Sequence, residues 1–178
     1  RVLRQVAGLP QDAYRTIDRK KEADDMKKRI TAAILAACLA LALAACGQAK
    51  EPELNIDEFG EELYAAGTFG EELYPIDESV AQGLYGLDAD TRCWVRTGTG
   101  ATAEELAVFE TKDSAAAEAL VEKLKTRNSD RIESYSTYIP AEVPKLEDAV
   151  MVSGGRYVVL CVAQDASAVR ELAQKALG

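Results

Sequence analysis

Three adjacent carboxylate pairs, Glu61-Glu62, Glu71-Glu72 and Glu104-Glu105, and a cysteine beside a tryptophan, Cys93-Trp94, are the side chains whose types could do chemistry. Two carboxylates brought together with different proton affinities can serve as acid and base. Neighbouring residues of a strand or helix point apart, however, so none of the three is a made pair. Arg92 and Arg96 would favour a Cys93 thiolate, but no base accompanies it. The chain contains no histidine, which removes Ser-His-Asp and Cys-His arrangements and imidazole metal sites. Gly-x-Ser-x-Gly and Ser-x-x-Lys motifs are missing too. No catalytic, cofactor-binding or metal-ligating residue is therefore nominated. A hydrolase or small-ligand accessory protein working through carboxylates stays open as the second reading.

The elements that would position these groups follow from periodicity. Ile56, Phe59, Leu63 and Ala66 fall at helical spacing and predict a short amphipathic helix ended by Gly67. The hexapeptide Phe59-Gly-Glu-Glu-Leu-Tyr64 recurs as Phe69-Gly-Glu-Glu-Leu-Tyr74. Thr68 with Glu71 offers a capping box for a second helical copy, which Pro75 interrupts. Asp77 or Ser79 caps a further helix expected to turn Val80, Leu84 and Tyr85 inward.

Residues 91–97 and 105–111 read as a hairpin turning at Gly98-Thr99-Gly100, with a helix opened by Thr102 and Glu105 as the competing reading. Asp113 caps a long helix from Ser114 to about Tyr135. Its inward stripe is Ala117, Leu120, Val121 and Leu124, with Glu118, Glu122, Lys125 and Arg127 facing water. A loop bounded by Pro140 and Pro144 leads to residues 149–153 and 157–163, a second hairpin turning at Gly154-Gly155. The strand 157–163 is apolar on both faces and so central. Asp165 caps a last helix with Ala168, Val169, Leu172 and Ala176 inward. Aligning Asp113 with Asp165 places Leu120 on Leu172, so each half reads hairpin, capping Asp, helix. The expected fold is α+β: a four-stranded antiparallel sheet from two β-β-α units, helices on one face, preceded by short acidic helices on an edge or end.

Charge narrows the partners. The net charge is -9, but residues 1–45 hold nine basic and five acidic side chains, so the remainder carries -13. Between Glu51 and Asp90 there are twelve Asp or Glu and no Lys or Arg. Such a surface repels phosphate and excludes nucleic acid as a partner. Asp88-Ala89-Asp90-Thr91 lacks the spacing and glycine of a calcium loop.

Residues 26–46 concern address. Lys27, Lys28 and Arg29 precede an apolar run, residues 30–45, of 16 residues, short of the roughly 20 that span a bilayer. This is the layout of a secretory signal. Its end, Leu43-Ala44-Ala45-Cys46 followed by Gly47, resembles the bacterial lipobox. The resemblance implies a diacylglyceryl group on the Cys46 sulfur and cleavage between Ala45 and Cys46. Two acyl chains on one residue anchor stably where one binds only marginally. Cleavage at an Ala-x-Ala-like site and an uncleaved helix are the competing readings. Residues 1–25 then form an upstream extension absent from the mature protein, 26–45 a lipoprotein signal peptide, 46–55 the lipidated cysteine and tether, and 56–178 one α+β domain. Cys38 leaves with the signal. Cys93 and Cys161 remain, as packed thiols or as a disulfide. The expected partners are the membrane, through Cys46, and an envelope protein on the extracytoplasmic side.

Leu84-Tyr85-Gly86-Leu87, the run from Gly100 to Phe109, Tyr138-Ile139-Pro140 and Gly155-Arg156-Tyr157-Val158 resemble a family of small bacterial lipoproteins. That family is known as the domain of unknown function numbered four-three-five-eight. The resemblance runs from the lipobox to the end of the chain. It implies a lipid-anchored Gram-positive surface domain, and it implies no activity, ligand or functional residue.

Overall fold

The computed structural model describes residues 53–178; the signal, Ala45, Cys46 and most of the tether lie outside them. Asn55 caps the first helix, α1 (Ile56–Ala66), its Oδ1 accepting from the Asp57 N–H at 3.1 Å. Asp57 and Glu58 add negative charge to the first turn, where the helix dipole favours it. Ile56, Phe59, Gly60 and Leu63 form the buried stripe. The order then runs β1 (Tyr74–Pro75), α2 (Glu78–Tyr85), β2 (Arg92–Thr97), β3 (Glu105–Glu110) and α3 (Ser114–Tyr138). A 3-10 turn (Pro140–Glu142), α4 (Val143–Glu147), β4 (Val150–Gly154), β5 (Tyr157–Val162) and α5 (Ser167–Leu177) complete it.

The strands form one antiparallel sheet in the order β1-β2-β3-β5-β4. The expectation of four strands with helices on one face is thus overturned twice. First, Tyr74 and Pro75 pair with Thr97 and Arg96, adding a fifth strand at the edge, where proline's missing N–H is tolerated. Second, helices cover both faces. Leu106, Val108, Val159 and Cys161 pack under α1 and α5, while Ala107, Phe109, Val158, Leu160 and Val162 pack under α2, α3 and α4. Both central strands, β3 and β5, are apolar at alternate and intervening positions alike. Neither side could therefore be left wet.

The repeated hexapeptide takes two conformations. Phe59–Tyr64 lies within α1, whereas residues 69–74 form no helix, bending at 70–71 before Tyr74 enters β1, and no capping box forms at Thr68. Thr68 instead makes a two-bond antiparallel bridge with Asp165. The glycine serves each copy differently. Gly60 is the bare spot on α1 against which the Trp94 ring lies. The Gly70 N–H donates to the Glu104 carboxylate.

Ala81 and Tyr85 are the buried residues of α2, so Val80 and Leu84 point outward. α3 runs three residues beyond Tyr135 to Tyr138, and Arg127 lies half-buried against the sheet rather than in water. Pro140 and Pro144 lie in the first turns of two short helical segments, residues 140–142 and 143–147, rather than bounding a loop. The hairpin reading around residues 98–104 holds: Thr97 pairs Glu105, Gly100 takes φ 91°, and no helix opens at Thr102.

Alanine at position 60 gains about 1 kcal/mol of helix propensity but overlaps the Trp94 ring, an overpacking worth about 1–3 kcal/mol. Gly60→Ala is expected to be net destabilising, by about 1–2 kcal/mol in urea unfolding. In a Trp94→Ala background the same substitution should become stabilising, and a loss of equal size there would refute the contact.

Candidate functional site

The buried carboxylates, Glu104, Glu105 and Glu142, gather at one end of the sheet, around the residues that open β3. Glu105 faces the α3 side. Its carboxylate accepts from Arg127 Nη1 at 2.7 Å and Nη2 at 3.0 Å, from Arg131, and from the Tyr85 hydroxyl at 2.8 Å. Burial, then the Glu105 charge, push the Tyr85 hydroxyl well above its ordinary pKa, so it stays a donor. Burial disfavours the Arg127 cation and the Glu105 charge favours it, with a net upward shift. The Arg127 guanidinium also lies over the Tyr85 ring, 4.4 Å from its centroid.

Glu104, one residue earlier, is equally buried and has different partners. It accepts from the Gly70 N–H at 2.7 Å, the Glu71 N–H at 3.2 Å and Lys145 Nζ at 3.0 Å. Lys145 is shared with Glu142 at 3.0 Å, and Glu142 in turn accepts from the Ala103 N–H at 2.8 Å. Burial disfavours the Lys145 ammonium, but its hydrogen bonds with Glu142 and Glu104 outweigh that, and its pKa rises from 10.5. Lys145 is therefore charged and is not an amine nucleophile. Glu104 and Glu142 are the converging carboxylates that adjacency in sequence hides. With the Glu104 side chain 0 % exposed and its oxygens occupied by protein donors, the pair holds structure together rather than meeting a substrate.

The other carboxylates and the thiols singled out in the sequence lie apart. Glu61 pairs with Arg96 at 2.8 Å. Glu72 accepts from the Tyr74 hydroxyl at 3.2 Å. Glu71 accepts from the Thr102 hydroxyl and from the Thr99 hydroxyl at 2.8 Å; these bonds, Thr102 first, hold its pKa below the ordinary 4.5. Cys93 lies on the α3 side of the sheet and Cys161 on the α5 side. Both are free, and the sheet between them rules out a disulfide. Burial pushes the Cys93 thiol up to about 11 and the Cys161 thiol up to about 12. Neither is a nucleophile at neutral pH.

Lys145 also forms part of the wall of a cleft of about 290 Å³ at the carboxyl end of β5. The remaining wall includes Asp148 from the end of α4, Gln164 and Asp165 from the link after β5, and Ser167 and Arg170 from α5. Nothing in local sequence pattern marks it, because its residues come from segments about twenty apart. Among the described residues, no group of three or more Cys, Asp or Glu is placed to hold a metal ion.

Fold and site together define a small α+β domain whose buried charges serve its architecture and whose accessible polar residues line a small cleft. A family model described as Domain of unknown function (DUF4358) matches residues 67–163. The chain belongs to that family. The match is narrower than the resemblance above suggests: it begins after α1 and ends before α5. Comparisons with curated proteins and with solved structures found no match.

Removing a charge from Glu105 leaves Arg127 and Arg131 buried without their counterion. Glu105→Gln is expected to lower stability by about 3–5 kcal/mol in urea unfolding. Glu71 acts on the pH profile instead. Because its folded pKa is depressed, its contribution is present above the unfolded value near 4.5 and is lost as pH falls through the lower, folded one. Glu71→Gln should therefore flatten the stability curve below about pH 4.5 and leave the slope near neutrality unchanged. A mutant whose acid limb matches the wild type would show that the threonine bonds do not form.

Proposed function

We propose that the chain is a lipid-anchored extracytoplasmic domain of the cell envelope, a binding or structural module rather than an enzyme. The observation that carries the address is the basic n-region, the apolar run and Leu43-Ala44-Ala45-Cys46 in succession. The non-catalytic reading draws support from the site: the buried carboxylates are engaged by backbone N–H groups, Lys145, Arg127 and Arg131, and both thiols are pushed up by burial. A surface of -13 would keep a tethered domain standing off an anionic bilayer rather than lying on it. The cleft beside Lys145 supports a second reading, a small-ligand accessory protein, in which the same anchored domain holds a ligand.

The test of the anchor is chemical. In a bacterial host fed an alkyne fatty acid, the wild-type chain should take up the label and sediment with membranes. Cys46→Ser should do neither. Label retained by the mutant, or a wild-type chain that carries none, would overturn lipidation at Cys46.

A further inference from the structure

Eleven Lys and Arg fall within residues 53–178, and the described residues pair eight of them with carboxylates. Arg170 is one of the three without an ion pair, although Asp and Glu outnumber Lys and Arg by 24 to 11 in this segment. A shortage of acids is not the reason. Arg170 lines the cleft, and so does Asp148, whose carboxylate likewise has no ion pair or hydrogen bond among the described residues. Among the described residues no ion pair joins the two, so a guanidinium and a carboxylate line one concavity without being paired to each other. Lys145 stands in the same wall with two of its three N–H donors engaged by glutamates. Asp165 is held by the Ser167 hydroxyl and N–H, which keep its pKa low, and is thereby committed to the turn.

A guanidinium favours a carboxylate because it can donate two parallel bonds, and a free aspartate favours an ammonium. At about 290 Å³ the cleft is at the small end of ligand sites, and its accessible lining is about equally polar and apolar. We propose that it binds a small zwitterion, an α-amino acid or dipeptide, with Arg170 on the carboxylate and Asp148 on the ammonium. The proposal rests on the non-catalytic reading above but not on the lipid anchor, so failure of either leaves the other standing.

The test uses the full chain, isotope-labelled, in detergent micelles, titrated with alanyl-alanine and followed by amide chemical shifts. Alanyl-alanine is expected to shift amides at Lys145, Asp148 and residues 164–170. Acetylating its amine, or amidating its carboxylate, should weaken binding by about tenfold each, the scale of one charge-assisted contact. Arg170→Gln and Asp148→Asn should do the same, each cancelling the effect of the matching blocked ligand. Lys175→Gln, which removes an unpaired cation of the same helix outside the cleft, should leave binding unchanged and guards against a general charge effect. No shift at millimolar dipeptide would overturn the proposal. So would binding that acetylation and Asp148→Asn leave intact, since that describes a site for simple anions. Because both residues are exposed, the variants should keep the wild-type spectrum. If Arg170→Gln does not, Arg170→Lys retains the charge without the two-pronged donor and should bind with intermediate strength.

Discussion

Glu105 is a charge enclosed at the start of a central strand, and the α3 side of the molecule is arranged to neutralise it. An ion in that position without partners would be strongly unfavourable. Arg127 and Arg131 supply the partners, and they can do so together only because they sit one turn apart on the same face of α3. This accounts for the second half of that helix, which is polar and poor in apolar periodicity. Tyr135 donates to the Thr102 carbonyl at 2.9 Å and Arg131 to the Ala103 carbonyl at 2.8 Å. The second half of the helix is held by hydrogen bonds to the residues that open β3, where hydrophobic contact alone would have let it fray. Tyr85 binds the same carboxylate from α2. One buried charge thereby positions two helices.

The other side is organised by apolar contact. α1 and α5 bring Ile56, Phe59, Leu63, Val169, Ala173 and Leu177 onto Leu106, Val108, Val159 and Cys161. These two helices are the ones outside the span that the family model matches. The matched span by itself holds the whole sheet and only one of its covering layers, so some cover on the second face is a physical requirement. The buried Tyr157 hydroxyl accepts from the Leu54 N–H at 3.2 Å and fixes where the chain enters this layer.

Much of this was legible in sequence and some was not, for reasons that can be named. Apolar runs and turn residues located β2 to β5, and Asp113 caps α3 where expected; the Asn55 cap was not legible, because Asn55 reads as the end of the polar tether. The apparent repeat misled. Both units do read hairpin, helix, but β3 and β5 are antiparallel neighbours with their helices on opposite faces. No rotation relates such an arrangement, so the units are not true copies in space. A strand apolar on both faces requires two covering layers, which a one-faced repeat cannot supply. The second hexapeptide failed because local propensity is identical in both copies. What differs is a tertiary acceptor, the Glu104 carboxylate, which takes the Gly70 and Glu71 N–H groups that a helix start would have left free. On α2, Val80 and Leu84 are as apolar as the residues that end up inside. A two-turn helix offers too few positions for periodicity to choose, and Tyr85, with its reach to Glu105, decides the face.

The cleft was illegible because it belongs to no single element. α4 packs by Leu146 on the α3 side of the sheet, α5 by Val169 and Ala173 on the other, and the cleft lies where both meet the link leaving β5. Its walls are therefore set by two independent packings, and neither can shift without disturbing buried groups. Lys145 is pinned from behind by Glu104 and Glu142, so that wall is pre-ordered before anything binds. Asp148 stands on one layer and Arg170 on the other. Each is carried on a helix packed against the sheet rather than on a long loop. An acidic domain that spends its cations on structure and still leaves one unpaired in such a position has kept a charge whose natural complement is brought from outside.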